Sequence, residues 1–320
     1  MLHSVLIHRS DAHFKKKDPQ DLRLGDRILD LHDADSLKAG DVVLLGICNE
    51  IGVLANGGRP GAMEGPVYFR KAFSRLTDAC LGARGLWDAG DVPSTVDYPV
   101  FFEAAQVVVS ACLERGAIPV VIGGGHDCSY GDYLGLCSAK ACLPPAVINI
   151  DAHLDMRPVI GPSSGNPFHR MMEHGLPGED IAAIGLLHER NATAHVAYAR
   201  GKGAHLYFME PGKEHEVLEQ ACAALNRFHA KGRRILASFD VDSIGAAWAS
   251  GVSALNPWGI SSDTALQLAR AFGCCPSVAV FDIMEYSPAF DRDGRTGWLL
   301  GFLVSEFIQG LSERKPTANG

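Results

Sequence analysis

A chain of 320 residues, 47% of them hydrophobic, suffices for one large α/β domain, and without repeats, low-complexity tracts or a Pro/Ser-rich linker it reads as a single domain over 1–320. The formal charge of −8, with no basic stripe beyond Lys15, Lys16 and Lys17, argues against nucleic acid as a partner, and no apolar run is long enough for a membrane span. The opening MLHSVLIHRSDAHFKKKDPQ lacks the charged-then-apolar pattern of a secretory leader, and nine scattered cysteines without CxxC pairs fit reduced thiols, so the expected location is the cytoplasm.

After an N-terminal extension over 1–40, strand-like and helix-like segments alternate. Strands are predicted over 41–47 (DVVLLGI), 85–90, 118–123 (IPVVIG), 146–150 (AVINI), 181–187, 205–209, 234–240 (RILASFD) and 277–283 (SVAVFDI). Helices are predicted over 99–115, 191–201, 215–231, 262–272 and 295–313. The strands are too apolar for period-two alternation, which indicates a mostly parallel sheet covered on both faces. A doubly wound sheet and a closed eight-stranded barrel both satisfy this pattern. In either, function gathers where strands end, at the carboxyl edge.

Three strand ends carry titratable clusters. AVINI runs into Asp151, His153 and Asp155, which share one side if the extended backbone continues past Ile150. RILASFD ends in Asp240 and Asp242, and IPVVIGGG ends in His126 and Asp127. Alone, an Asp-x-Asp after a strand reads as a turn or helix cap, and a single histidine as a core residue. Together, Asp151, Asp155, Asp240 and Asp242 would repel one another and hold their protons unless divalent cations sat among them. Oxygen-rich ligation with one imidazole per ion favours Mn²⁺, with Ni²⁺, Co²⁺ or Zn²⁺ also accepted. Such a pair acidifies water and aims it at an electrophilic carbon. Phosphate binding by VIGGGHDCSYG is set aside, because no lysine follows and Asp127 would repel an anion. Gly123, Gly124 and Gly125 read instead as a side-chain-free approach to the metals.

In order, GGGHDCSYG, NIDAHLDMRP, SFDVDS and FDIMEYSPAFDRDGRT resemble the signatures of the ureohydrolases, the family of arginase, agmatinase and formimidoylglutamase, over roughly residues 41–310. The resemblance implies a three-layer α/β/α sandwich with an eight-stranded, mostly parallel sheet. It implies two Mn²⁺ per chain: one on His126, Asp151, Asp155 and Asp240, the other on His153, Asp151, Asp240 and Asp242. Glu285 would then receive the amidino nitrogen of the substrate. Without a histidine shuttle, the proton for the departing nitrogen is expected from Asp155 or a metal-bound water.

Within the family, ANGGRPGAMEGPVYFR resembles the formimidoylglutamase form of the first loop, so Asn56 and Arg59 are expected at the substrate, with Arg70 on the helix that follows. The alternative for Arg59 is that it pins its own loop. SSGNPFHR resembles the same branch at Ser164, while Asn166 and His169 depart from its usual threonine and arginine. Ser164 and Asn166 are expected at the substrate. His169 reads either as a proton shuttle or as a polar residue in the first turn of a helix. GVSA (251–254) matches that branch as well, before Leu255 departs from its proline. The activity implied is hydrolysis of N-formimino-L-glutamate to L-glutamate and formamide, a step of histidine breakdown. The alternatives are a guanidino-compound hydrolase releasing urea and a non-catalytic metal-binding member. The partner is a small amidine or guanidine, with homo-oligomers common in the family.

Overall fold

Val42–Ile47, Ile118–Ile122 and Val278–Met284 are buried at every position, as a strand flanked by helices on both faces requires. Alternate side chains nevertheless enter different cores. Val120 and Ile122 pack on one face and Val121 on the other; likewise Ile148 and Ile150 oppose Val147. The structure, a computed structural model, describes residues 6–140 and 143–314. The first five residues of the opening run and Cys142 lie outside the described residues. None of the eight described cysteines forms a disulfide. No described helix is long and apolar enough to cross a membrane.

Among the described residues, nine strands form one all-parallel sheet: β1 (Ile28–Asp30), β2 (Val42–Ile47), β3 (Leu86–Val92), β4 (Ile118–Ile122), β5 (Pro145–Ile150), β6 (Ile181–Leu186), β7 (His205–Phe208), β8 (Arg234–Asp240) and β9 (Val278–Met284). Their order is β1-β3-β2-β4-β9-β8-β5-β6-β7. The eight expected strands are all present within a residue or two. The ninth, β1, is a three-residue edge strand in the segment read as an extension, too short to show a pattern.

Ten helices surround the sheet among the described residues: α1 (Leu24–Arg27), α2 (Ile51–Ala55), α3 (Gly65–Phe73), α4 (Val100–Glu114), α5 (Ser129–Ser138), α6 (Pro167–Glu173), α7 (Thr193–Gly201), α8 (His215–Ala230), α9 (Ser262–Cys274) and α10 (Arg295–Ser312). Apolar residues of α3, α8, α9 and α10 build the core on one face, and those of α4, α5, α6 and α7 the core on the other. This is a three-layer sandwich, not a barrel. The chain enters the sheet centre from both sides, so β4, β9, β8 and β5 lie side by side and bring their carboxyl ends together. A crevice at such a reversal of strand order is where open α/β sheets place ligands.

One buried ionic cluster ties the N-terminal arm to this frame. Arg70 on α3 donates to Asp88 from Nε and Nη2 at 2.7 and 2.8 Å and to Asp91 from Nη1 at 2.5 Å. His13 Nε2 lies 2.7 Å from Asp88, and Arg9 Nε donates to Asp91 at 2.8 Å. Removing the central cation leaves two buried carboxylates without their main partner. Arg70→Met is therefore expected to destabilise the fold by about 3–5 kcal/mol in urea denaturation. A loss below about 1 kcal/mol would mean that water already compensates these acids.

Candidate metal centre

His126 follows β4, Asp151 follows β5, Asp240 ends β8 and Glu285 follows β9, so the four central strands each deliver one group to the same edge. His126, Asp151 and Asp240 are almost fully buried. His126 Nδ1 lies 3.2 Å from Asp151 Oδ2, 3.1 Å from Asp155 Oδ2 and 3.0 Å from Asp240 Oδ2. His153 Nδ1 stands 3.5 Å from Asp151 Oδ1 and 3.1 Å from Asp242 Oδ2. The donors thus fall into two groups, His126–Asp151–Asp155–Asp240 and Asp151–His153–Asp242, within 4.8 Å of one another in each.

The donor set fits a pair of hard divalent cations. Donors at right angles around an octahedral ion with bonds of about 2.1 Å lie about 3 Å apart, close to the separations around His126 Nδ1. That buried nitrogen has no hydrogen-bond partner. Asp151 belongs to both groups. Asp240, expected in both, joins the first; its Oδ1 accepts the Asp242 N–H at 2.8 Å.

Local turns set this geometry rather than a continuing strand. β5 ends at Ile150, and Asp151 Oδ1 accepts the His153 N–H at 2.6 Å, the same device that Asp240 uses on Asp242. Both motifs are therefore turns and ligand carriers at once. Asn191 clamps the loop by accepting from Leu154 N at 2.7 Å and donating to Ala152 O at 2.9 Å. Asp155 and Glu285 have φ of 49° and 67°, a left-handed conformation that costs a non-glycine residue of order 1–3 kcal/mol. The glycines of VIGGG serve packing, correcting the expectation of a direct approach to the metals. A Cβ on Gly124 would lie 1.7 Å from the Asn49 carbonyl oxygen, and one on Gly123 would lie 2.0 Å from Met284 Sδ.

Above the acids opens a pocket of about 330 Å³ lined by Asn56, Arg59, His153, Asp155, Arg157, Ser164, Arg190, Asp240, Asp242 and Glu285, among others. Asn56 and Ser164 both line this pocket, joined by a 3.2 Å hydrogen bond. Glu285 Oε1 accepts the His126 N–H at 2.9 Å, which holds the carboxylate at the pocket wall. Arg59 lines the pocket but is committed to the neighbouring loop. Nε and Nη2 bond the Ser253 and Val252 carbonyls, and its guanidinium sits 3.6 Å over the Phe290 ring. The loop-pinning alternative describes it.

Two expectations are corrected. Asn166 is wholly buried, with its amide used by Gly161 O and Arg170 Nε, so it shapes the loop and lines no part of the pocket. His169 in α6 stacks on Tyr198 at 4.6 Å and lies outside the pocket, as a helix residue and not a shuttle. Conversely, sequence reasoning passed over Arg157 and Arg190. Arg157 Nη1 donates to Asn56 at 3.0 Å and Arg190 Nη2 to the Leu255 carbonyl at 2.8 Å, placing two more cations in the pocket wall. Nothing short of the loop paths marks them, although Arg157 follows Asp155 by two residues.

A sequence model of the arginase family matches residues 40–309. A formimidoylglutamase of Rhodococcus jostii is 32% identical over 297 residues, covering 90% of each chain, and one of Rhodococcus opacus is 33% identical over 269 residues, covering 82% of this chain and 83% of its own. A crystal structure of Trypanosoma cruzi formiminoglutamase with Mn²⁺ superposes with a TM-score of 0.82 at 28% identity, over 92% of this chain and 100% of that one.

The electrostatics predict how the metal-free protein responds to pH. Burial, then Asp242, pushes Glu285 from 4.5 up to about 8, and burial pushes Asp127 from 3.8 up to about 7. Burial also raises Asp240 well above its ordinary value, with Asp242 adding to it. For His153, burial would lower the pKa, but Asp242 and Asp151 more than offset it and push it up to about 12. Each of these groups binds its proton more tightly folded than unfolded. Their stabilisation is present at low pH and is lost as pH rises from about 4 to 8 and beyond. The melting temperature of metal-free protein is expected to fall between pH 6 and pH 8.5, and added Mn²⁺ to raise it more at pH 8.5, where cations replace protons. A metal-free melting temperature that rises over this interval would rule out a cluster so buried.

Proposed function

The chain belongs to the arginase family, and we propose that it acts as a formimidoylglutamase, converting N-formimino-L-glutamate and water to L-glutamate and formamide. The observation that carries this reading is the polarity of the pocket, with acids at its base and Arg157 and Arg190 in its wall. The proposed substrate has the opposite polarity, a cationic formimino group at one end and two carboxylates at the other. A guanidino substrate such as a free amine-ended agmatine would place a cation against the arginines.

His126, Asp151, Asp155 and Asp240 would hold one divalent cation, and Asp151, His153 and Asp242 the other, with Asp240 completing it as the family resemblance implies. Mn²⁺ is the favoured ion, supported by the oxygen-rich donor set and by the Mn²⁺ of the Trypanosoma cruzi relative. When bound, such a pair supplies water acidified at neutral pH and charge stabilisation at the reacting carbon. The protein does the rest. Glu285, fixed by the His126 N–H, pairs with the cationic formimino nitrogen and so orients the carbon over the acids. Arg157 and Arg190 take the carboxylates as charge-assisted donors. Asn56 holds Arg157 and Ser164 together and thereby fixes the distance between the two ends. Addition of water to the formimino carbon is followed by cleavage of its bond to the glutamate nitrogen, and that nitrogen needs one proton. Asp155, the partly exposed acid of the first group, faces the pocket and can deliver it. The urea-releasing alternative required His169 at the leaving group, and its stacking on Tyr198 removes the support for that role.

Mn²⁺-loaded protein given N-formimino-L-glutamate is expected to release glutamate and formamide in equal amounts. Urea from arginine, agmatine or a guanidino acid, with no formamide from the formimino substrate, would overturn the assignment. Arg157→Leu and Arg190→Leu should each raise KM for the formimino substrate about 10–100-fold, the loss of one charge-assisted contact of about 1.5–3 kcal/mol, with kcat changed less than about threefold. Unchanged KM in both variants would show that the carboxylates bind elsewhere.

A further inference from the structure

Behind His126, on the side away from the pocket, lies a buried polar chain that the proposed reaction does not use. Ser238 on β8 stands two residues before Asp240 and therefore shares its side of the strand. Its Oγ lies 3.0 Å from His126 Nε2 and donates to Asp282 Oδ1 at 2.6 Å. Asp282 is the register partner of Ser238 on β9, so the sheet itself sets this contact. Ser129 Oγ at the start of α5 lies 3.3 Å from Ser238 Oγ. Asp132, one helical turn further along α5, closes the far end, with its carboxyl and that of Asp282 fully buried against each other. The Asp282 Oδ2 atom and both Asp132 oxygens have no other hydrogen-bond partner.

The direction of the chain follows from donor counting. Ser238 has one hydroxyl proton, and the short bond to a carboxylate claims it. What Ser238 turns to His126 is a lone pair, so Nε2 must carry the hydrogen there. In a neutral imidazole that leaves Nδ1 as a bare lone pair, aimed where the oxygens of Asp151, Asp155 and Asp240 converge. Burial pushes both Asp132 and Asp282 up, and Asp282 raises Asp132 further, so the pair does not ionise fully. Whichever carboxyl holds the proton, Asp282 Oδ1 stands at 2.6 Å as the acceptor of the Ser238 hydroxyl.

We infer that Ser238 and Asp282 are positioning residues: they fix the tautomer and ring orientation of His126 and thereby tune one cation position and not the other. This rests on the two-cation reading above. Among the described residues no such relay reaches His153, which sits at the pocket and belongs to the second group.

The test is a Mn²⁺ titration of the full-length metal-free protein, with free ion followed by electron paramagnetic resonance. Wild type is expected to bind two ions. Ser238→Ala should weaken one of them about 10–100-fold, the usual effect of losing such a partner, while the other changes less than about threefold. The metal-free melting temperature should stay near that of wild type. Ser238→Thr, which restores the hydroxyl, should recover most of the loss. Asp282→Asn, which keeps the shape but weakens the acceptor, should lose less than Ser238→Ala and at the same ion. Wild-type affinity for both ions in Ser238→Ala, equal weakening of both, or a threonine no better than alanine would overturn the inference. Wild type that binds no Mn²⁺ would overturn it together with the two-cation reading, whereas two ions in wild type, both held with unchanged affinity in Ser238→Ala, strike the relay alone.

Discussion

Like charges confined in a dry place are the constraint on which the rest of this structure depends. Asp151, Asp240 and Asp242 are at most 2% exposed, with Asp155 and Glu285 against them and only two imidazoles to answer five carboxyls. Each unpaired charge in such a setting costs several kcal/mol, more than any one packing contact returns. The fold tolerates this because the strain is spread over a rigid frame. Four adjacent parallel strands fix the origins of the side chains, and strand burial on both faces prevents the edge from relaxing. The left-handed backbone at Asp155 and Glu285 belongs to the same account, since unfavourable conformations persist where surrounding structure over-determines them.

How much of this could be read from the sequence depended on the range of the interactions. A strand covered on both faces is written as a continuous apolar run, which is why β2 through β9 were legible and the three-residue β1 was not. The six ligand-type residues are legible because Asp-x-His-x-Asp, Asp-x-Asp and the histidine of Gly-Gly-Gly-His-Asp all sit at strand ends. Their local geometry is not legible in the same way: the alternation suggests a strand continuing past Ile150, whereas capped turns at Asp151 and Asp240 do the converging. Loop residues were harder. Arg59 and His169 are polar side chains whose partners come from segments far along the chain, and Asn166 bonds within its own loop and the helix that follows, so residue type alone does not separate loop-building from binding. Arg157 and Arg190 failed in the other direction, being brought to one pocket by two loops that leave different strands.

The pocket is dipolar, negative at its floor and positive in its wall. A ligand with a cation at one end and carboxylates at the other is oriented by that field before any shape complementarity is tested. Water-poor walls strengthen the effect, because field lines concentrate in a cleft bounded by low-dielectric protein. The reversed ligand meets repulsion at both ends, so rejection of wrong orientations comes from charge placement and not from tight fit. Asn56 steadies the wall, accepting from Arg157 and donating to Ser164.

The spacing of the donors along the chain also bears on how the molecule assembles. His126, the Asp151–Asp155 turn and the Asp240–Asp242 turn belong to three strands whose neighbours are far apart in sequence, and β4 reaches β5 only through β9 and β8. No short stretch of the unfolded chain holds enough donors to capture an ion, so metal cannot nucleate folding as it does in a zinc finger. The order must run the other way. The central strands, the last of which ends at Met284, have to pair before the donors meet, a closure over long loops that slows folding of parallel sheets. During synthesis, then, the cation positions come into being only after the chain has been made through Met284, and metal enters a scaffold that has already folded against its own charge.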